Sequence, residues 1–271
     1  MKKIASLVAL AAMTVSGVAS ATAVDSVVVQ GTCAGLPNEA TLLAALDAAT
    51  AGAGGGGLDF DMWATVVNHN GEVCQVVAND ANGNGAVDPW MASRVISAQK
   101  ANTANSLSTE DLALSTANLY AAVSPRGSLY GLQHSNPVDV AAYAGDPLAF
   151  GTGALDPMAV ASLMVGGVNV FGGGLALYDN TGALIGAVGV SGDFSCADHN
   201  IAWAVRDELA LDFVPGGVSK TGDDNMVNDI KVSRMGKAGG SKGGWGHPTC
   251  SNALKEQTKL LPTTFPLSVL P

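Results

Sequence analysis

Residues 173–192, "GGLALYDNTGALIGAVGVSG", hold two apolar runs joined by the polar turn Asp179–Gly182. Such runs around a short Asp/Asn/Gly turn fold back on each other as a hairpin. A second pair lies in "LDFDMWATVVNHNGEVCQVVAND", around Asn70-Gly71, the strongest short hairpin signal. Two hairpins commit the chain to an antiparallel sheet, which can keep only one face bare unless helices cover both. Helical periodicity supplies the cover. "NEATLLAALDAATAG" puts Leu42, Leu43, Leu46 and Ala49 on one face, with Asn38 placed to cap its start. "PWMASRVISAQKANTANSL" reads as a helix with proline in its first turn. "ADHNIAWAVRDELAL" reads as a helix with Ile201, Ala202, Val205 and Leu209 inward. Ser108 with Asp111 has the form of a capping box opening a helix through Tyr120. Residues 124–170 are rich in Gly, Pro, Asn and Asp and read as long loops with a short helix near Met158–Val165. The fold class is α+β.

The first 23 residues, "MKKIASLVALAAMTVSGVASATA", carry two lysines, an apolar run and then small residues. This is the pattern of a secretory signal cleaved after Ala21 or Ala23. It predicts a periplasmic or secreted protein with a domain over 24–214 and an irregular, Gly-rich extension over 215–271. No later stretch offers the roughly 20 unbroken apolar residues that a membrane span needs. Removing Lys2 and Lys3 leaves 11 basic against 23 acidic side chains. Such a surface repels nucleic acid and anionic lipid, so neither is an expected partner.

Four cysteines in an exported chain, Cys33, Cys74, Cys196 and Cys250, read as two disulfides. Three connectivities are open, and local order favours Cys33–Cys74 with Cys196–Cys250. The last pair ties the extension to the domain.

Chemical motifs are sparse. Gly189-Val190-Ser191-Gly192 is not a nucleophile elbow, because Asp193 stands where the second glycine belongs. "NDANGNGAVD" at 79–88 resembles a calcium loop, but Met91 replaces the bidentate carboxylate, so a polar turn is expected. "FGGGLALYD" precedes a strand instead of opening a helix, so it is not a dinucleotide fingerprint. No HxxxH, HExxH or 2-His-1-carboxylate spacing occurs among His69, His134, His199 and His247, and no metal site is expected. His69 reads as a solvated turn residue, and His199 opens a helix. His134 sits in a long loop near Tyr130 and Tyr143, where binding residues gather.

Taken in order, "VVNHNGEVCQVV", "SRVISAQKANTAN" and "GGLALYDNTGALIGAVGVSGDFSCADHNIAWAV" resemble the GlcG/HbpS-like family, which includes the C-terminal domain of PduO. The resemblance spans roughly residues 38–210 and rests on Lys100-Ala101-Asn102-Thr103-Ala104, on Gly182 to Gly192, and on Asp198 ahead of an alanine-rich helix. It implies a profilin-like α/β/α domain with a five-stranded antiparallel sheet, often assembled into homo-oligomers. It also implies haem as the ligand. The chain departs from the family in its loop 124–170, its cysteines and its extension, and its first helix lacks the histidine with which some members ligate haem.

The expectation is therefore an exported protein that binds a small molecule, haem foremost. The alternatives are an enzyme that degrades haem oxidatively or acts on a small organic acid, and a non-catalytic partner-binding module. His134 is the first candidate for axial donor, with Asn136 as acceptor for its second nitrogen. His199 beside Asp198 is the competitor, Tyr130 or Tyr178 are the non-histidine donors, and Lys100 and Thr103 complete the candidate set.

Overall fold

A computed structural model of the chain describes residues 33–53, 57–79, 89–232 and 239–270. The signal-like segment and residues 80–88 of the calcium-like loop lie outside the described residues.

The sheet is five-stranded, with order β3-β2-β1-β5-β4 and every pair antiparallel. Helix α1 (Glu39–Ala53) starts where expected: the Asn38 Oδ1 accepts from the Thr41 N–H at 3.0 Å. Strands β1 (Trp63–Asn68) and β2 (Val73–Ala78) form the first hairpin, whose turn needs Gly71 at φ 87°. Helix α2 spans Met91–Leu107, with Trp90 as its N-cap at ψ 117°. Pro89 thus precedes the helix and is not in its first turn.

The helix expected after Ser108 does not form there. Ser108 ends α2, and its hydroxyl accepts from the Leu114 N–H at 3.0 Å, which holds a loop. The true capping box is Ser115 with Asn118, opening a 3-10 turn at Thr116–Leu119 that runs into α3 (Tyr120–Val123).

Residues 124–170 contain α4 (Leu132–Ser135), β3 (Thr152–Gly153) and α5 (Pro157–Val160), with 3-10 turns at Val140–Tyr143 and Pro147–Ala149. The fifth strand therefore comes from a segment whose sequence shows no strand period. A buried ion pair staples it down. Arg94 of α2 donates from Nε to the Asp156 Oδ2 at 2.8 Å and pairs its Nη2 with Oδ1. Its Nη1 reaches the Ala142 carbonyl at 2.9 Å, and its guanidinium lies 3.8 Å from the Phe150 ring centroid.

The second hairpin, β4 (Gly174–Tyr178) and β5 (Leu184–Ser191), turns where expected. The Asp179 carboxylate accepts from Thr181 and Ala183, and these bonds hold its pKa below the usual carboxylate range. Helix α6 (Ser195–Glu208) follows, with Ile201, Ala202 and Val205 buried.

Helix α2 covers one face of the sheet, while α1 and α6 pack together over the other. Two glycines make the α2 layer lie close. A Cβ on Gly189 of β5 would collide with the Ser97 carbonyl oxygen, and one on Gly174 of β4 with that of Lys100. The glycines of "GGLALY…GAVGVSG" thus serve backbone-to-helix packing, and Ala98, Ala101 and Ala104 present matching small side chains.

The extension is not irregular throughout. It contains the parallel pair β6 (Val227–Ile230) and β7 (Gly246–Pro248) and a 13-residue helix, α7 (Asn252–Thr264). The Ser251 hydroxyl caps α7, and Leu254, Thr258 and Leu261 are buried at helical spacing. Buried Thr258 breaks the apolar stripe, and Pro262 in the last turn argues against a helix locally. Among the contacts that seat the extension on α6, Asp224 pairs with buried Arg206 at 2.7 and 2.8 Å, and Trp203 donates to the Phe265 carbonyl at 3.0 Å.

Both disulfides follow the favoured pairing, with Cα–Cα distances of 5.8 Å for Cys33–Cys74 and 6.1 Å for Cys196–Cys250. Denatured, unreduced protein is expected to show no free thiol on titration. Replacing Cys196 and Cys250 together by serine is expected to lower stability in denaturant unfolding by about 4 kcal/mol, the chain-entropy value for a loop of this size.

Candidate functional site

The residues carried by the family-like motifs converge at the C-terminal end of β5. Lys100 projects from α2 past that strand and donates to the Val190 carbonyl at 2.9 Å and to the Asp198 Oδ2 at 2.6 Å. Asp198 lies in the first turn of α6, on the opposite layer, and its Oδ1 accepts from the Asp193 N–H at 2.9 Å. The pair joins both helical layers around the end of the sheet. Burial pushes the Asp198 pKa up to about 6, against the pull of the Lys100 ammonium, and burial also lowers the Lys100 pKa. Gly173, at φ 114°, passes directly over the pair: a Cβ there would lie 3.0 Å from the Asp198 Cβ and 3.1 Å from the Lys100 Nζ. The triple glycine that is no dinucleotide fingerprint is thus the cover of a sealed ion pair.

Thr103 is adjacent in sequence but has a separate task. Its hydroxyl donates to the Gln99 carbonyl at 2.7 Å and accepts from the Asn169 N–H at 2.9 Å, so it anchors the segment that leads into β4. Asn102 assists by donating to the Gly167 carbonyl at 3.0 Å.

His199 is fully buried. Its Nε2 lies 3.2 Å from the Asn225 Oδ1 and 3.1 Å from the Met226 N, while its Nδ1 has no hydrogen-bond partner. Burial lowers its pKa to about 4, so the ring is neutral at pH 7. His247, on β7, is also buried, with its ring 5.2 Å from that of Tyr120. Its pKa is likewise lowered to about 4, mainly by burial and further by the Lys100 charge. His69 is exposed in the first hairpin turn.

His134 is exposed on α4, which starts from Gly131 at φ 94°. Its ring makes no hydrogen bond among the described residues. Asn136 does not serve it: the Asn136 Nδ2 closes α4 by donating to the Leu132 carbonyl at 2.7 Å. Tyr130 is exposed beside α4. Tyr178 is buried, its hydroxyl donating to the Thr109 carbonyl at 2.8 Å, and burial pushes its pKa up. The sequence candidates therefore divide. Lys100, Asp198 and His199 gather in a sealed polar layer, while His134, Tyr130 and Asn136 lie on an exposed loop.

Sequence reasoning missed Asn225 and Asp224, which reach His199 and Arg206 from the extension, and no local pattern marks them. Two clefts also open on the extension. One of about 380 Å³ is lined by Lys220, Asn225, Lys255 and Lys259, and one of about 660 Å³ by Tyr120, Ser124, Arg126 and Ser241. Among the described residues, no three His, Cys, Asp or Glu side chains converge on a metal position. No helix there is long and apolar enough to cross a membrane.

The family model described as "Haem degrading protein HbpS-like" matches residues 39–207. Among solved structures, the Klebsiella pneumoniae protein ORFY, of family DUF336, is 24% identical at a TM-score of 0.42, with 64% of this chain and 90% of that chain covered. A PduOC:Heme complex is 24% identical at a TM-score of 0.40, with 62% and 91% covered. No curated protein matches the sequence.

The buried histidines set the acid response. The unfolded chain protonates both imidazoles near pH 6.5, whereas the folded chain resists until about 4. Unfolding thus takes up protons in that window, and stability falls as pH drops. Asp198 opposes this between 3.8 and about 6, since it is protonated earlier in the folded state. Asp47 and Asp207, both raised mainly by burial, oppose it as well, but the two histidines carry the larger shifts. Urea unfolding at a series of pH values is expected to show stability falling by a few kcal/mol from pH 6.5 to 4, with a flatter slope in His199→Gln. Separately, Lys100→Met, which strands the Asp198 carboxylate, is expected to cost about 3–5 kcal/mol.

Proposed function

Because the chain belongs to the HbpS-like family of haem degrading proteins, we propose that it is an exported protein that binds haem through His134. The family match, across 39–207, is the observation that carries the haem assignment. Export is supported by the signal-like N-terminus and by two disulfides, which persist in oxidising compartments.

The residues present fit a haem at α4. An iron needs one lone-pair donor beside apolar surface. His134 offers an imidazole that no hydrogen bond occupies, whereas a ligand at His199 would have to break into a buried layer. Leu129 and Tyr130 expose apolar surface on the residues leading into α4, and Tyr143 adds a second exposed ring on the same segment. Bound haem would supply a redox-active iron, on which either ligand binding or oxidative degradation depends. The chain's own part is to present one imidazole nitrogen and to hold α4 in place through the Gly131 turn and Asn136.

Titration of the mature protein with hemin is expected to give a Soret band. His134→Ala is expected to shift it and weaken binding by roughly tenfold or more, while His69→Ala leaves it unchanged. A wild-type spectrum for His134→Ala with a changed one for His199→Ala would move the donor to α6. Loss of the band with ascorbate and oxygen, with release of iron, would favour the degrading enzyme over a simple binder.

A further inference from the structure

We propose that Ser195 and His247 form a nucleophile–base pair that hydrolyses small, uncharged acyl esters, at a site distinct from the haem donor. The two residues are 52 positions apart, yet the Ser195 Oγ lies 3.1 Å from the His247 Nε2. The Cys196–Cys250 disulfide, one residue from Ser195 and three from His247, holds the extension in that place.

Donor and acceptor roles follow from the third group. The His247 Nδ1 is 2.7 Å from the Pro248 carbonyl oxygen. A carbonyl only accepts, so Nδ1 carries the ring proton and Nε2 keeps its lone pair. The Ser195 hydroxyl must then be the donor to Nε2. That is the order nucleophile, base, orienting acceptor on which serine catalysis depends, with a backbone carbonyl in place of a carboxylate. The Tyr120 ring, 5.2 Å away and tilted by 61°, backs the imidazole and restricts its rotation. Burial keeps the ring neutral and able to accept a proton at pH 7.

The surroundings suit an ester. Ser195 is half-buried; the preceding residue, Phe194, is 46% exposed, and Phe171, 50% exposed, belongs to the segment that packs on the Ser195 backbone. Phe171 is held there because the following Gly172 packs on the Ser195 carbonyl, where a Cβ would collide. The rings offer apolar surface to an acyl chain or an aromatic leaving group. Ser195 also begins the 14-residue helix α6, which no side chain caps. Its first-turn N–H groups lack intrahelical partners and are the donors a developing oxyanion requires. The formal charge of −10 disfavours anionic substrates.

The Ser195 oxygen attacks the ester carbonyl carbon while its proton passes to the His247 Nε2. The carbon–alkoxy bond then breaks, and the leaving alcohol takes that proton. Water attacks the acyl-serine, giving a proton to Nε2. The bond to the serine oxygen breaks, and that oxygen recovers the proton as the carboxylic acid leaves. Because the base is weak, turnover is slow and esters with good leaving groups are preferred.

The test uses the unreduced mature protein, a fluorophosphonate probe located by peptide mass, and p-nitrophenyl acetate and butyrate hydrolysis. The expected result is one adduct on Ser195, lost in Ser195→Ala, with ester hydrolysis at least tenfold lower in Ser195→Ala and in His247→Gln. A wild-type protein that takes no adduct at Ser195, or hydrolysis undiminished in Ser195→Ala, overturns the proposal and leaves the hydrogen bond a structural tie. The adduct is read on wild-type protein, so its absence overturns the proposal however well the variants fold.

Discussion

The architecture depends on how closely α2 approaches β4 and β5. Ser97 and Lys100 bring their backbone carbonyls to positions that a Cβ on Gly189 or Gly174 would occupy. That approach lets the Lys100 side chain run past the end of β5 and reach Asp198 on the far side. A longer helix-to-sheet distance would leave the ammonium short of its carboxylate and buried without a partner, at a cost of several kcal/mol. Glycine at two strand positions and lysine at one helix position are therefore a single requirement.

Three buried ion pairs repeat this logic at different places. Lys100–Asp198 joins the helical layers, Arg94–Asp156 fastens the segment that supplies β3, and Arg206–Asp224 seats the extension on α6. In each, one partner lies on a long helix and the other on α6's start or an irregular segment, so the ion pair anchors what packing alone holds weakly. Desolvation makes such pairs poor sources of net stability, but removing either partner strands a buried charge. The exposed Lys259–Glu256 pair on α7 has no comparable weight.

The same division between sealed and open groups separates the functional readings. The polar layer around Lys100, Asp198 and His199 is closed by Gly172–Gly174 and by the extension, and it acts as a structural joint. The residues of the two proposals are more open. His134 stands exposed on α4, and Ser195 stands half-exposed where α6 begins. Both lie within residues 39–207 that the family model matches, and Ser195 meets the extension through His247.

The hairpin turns at Asn70-Gly71 and Asp179–Gly182 and the buried faces of α1 and α6 were legible in the sequence, and with them the α+β class, while the α/β/α layering was implied by the family resemblance. These features depend on residues within a few positions of one another, where strand and helix periods and turn stereochemistry act directly. Even there a local signal misled: Ser108 and Asp111 match a capping box, but the Ser108 hydroxyl is taken by the Leu114 N–H. Strand β3, helix α7, the reach of Asn225 to His199 and the contact of Ser195 with His247 were decided only by tertiary structure. A two-residue strand has no period to read, and α7's buried stripe of Leu254, Thr258 and Leu261 includes a polar residue whose hydroxyl has the Leu254 carbonyl and the Asn200 Oδ1 as acceptors, each at 2.8 Å. Contacts across 26, 52 or 98 positions depend on which surfaces the sheet and its disulfides bring together, and no property of the separate segments encodes that.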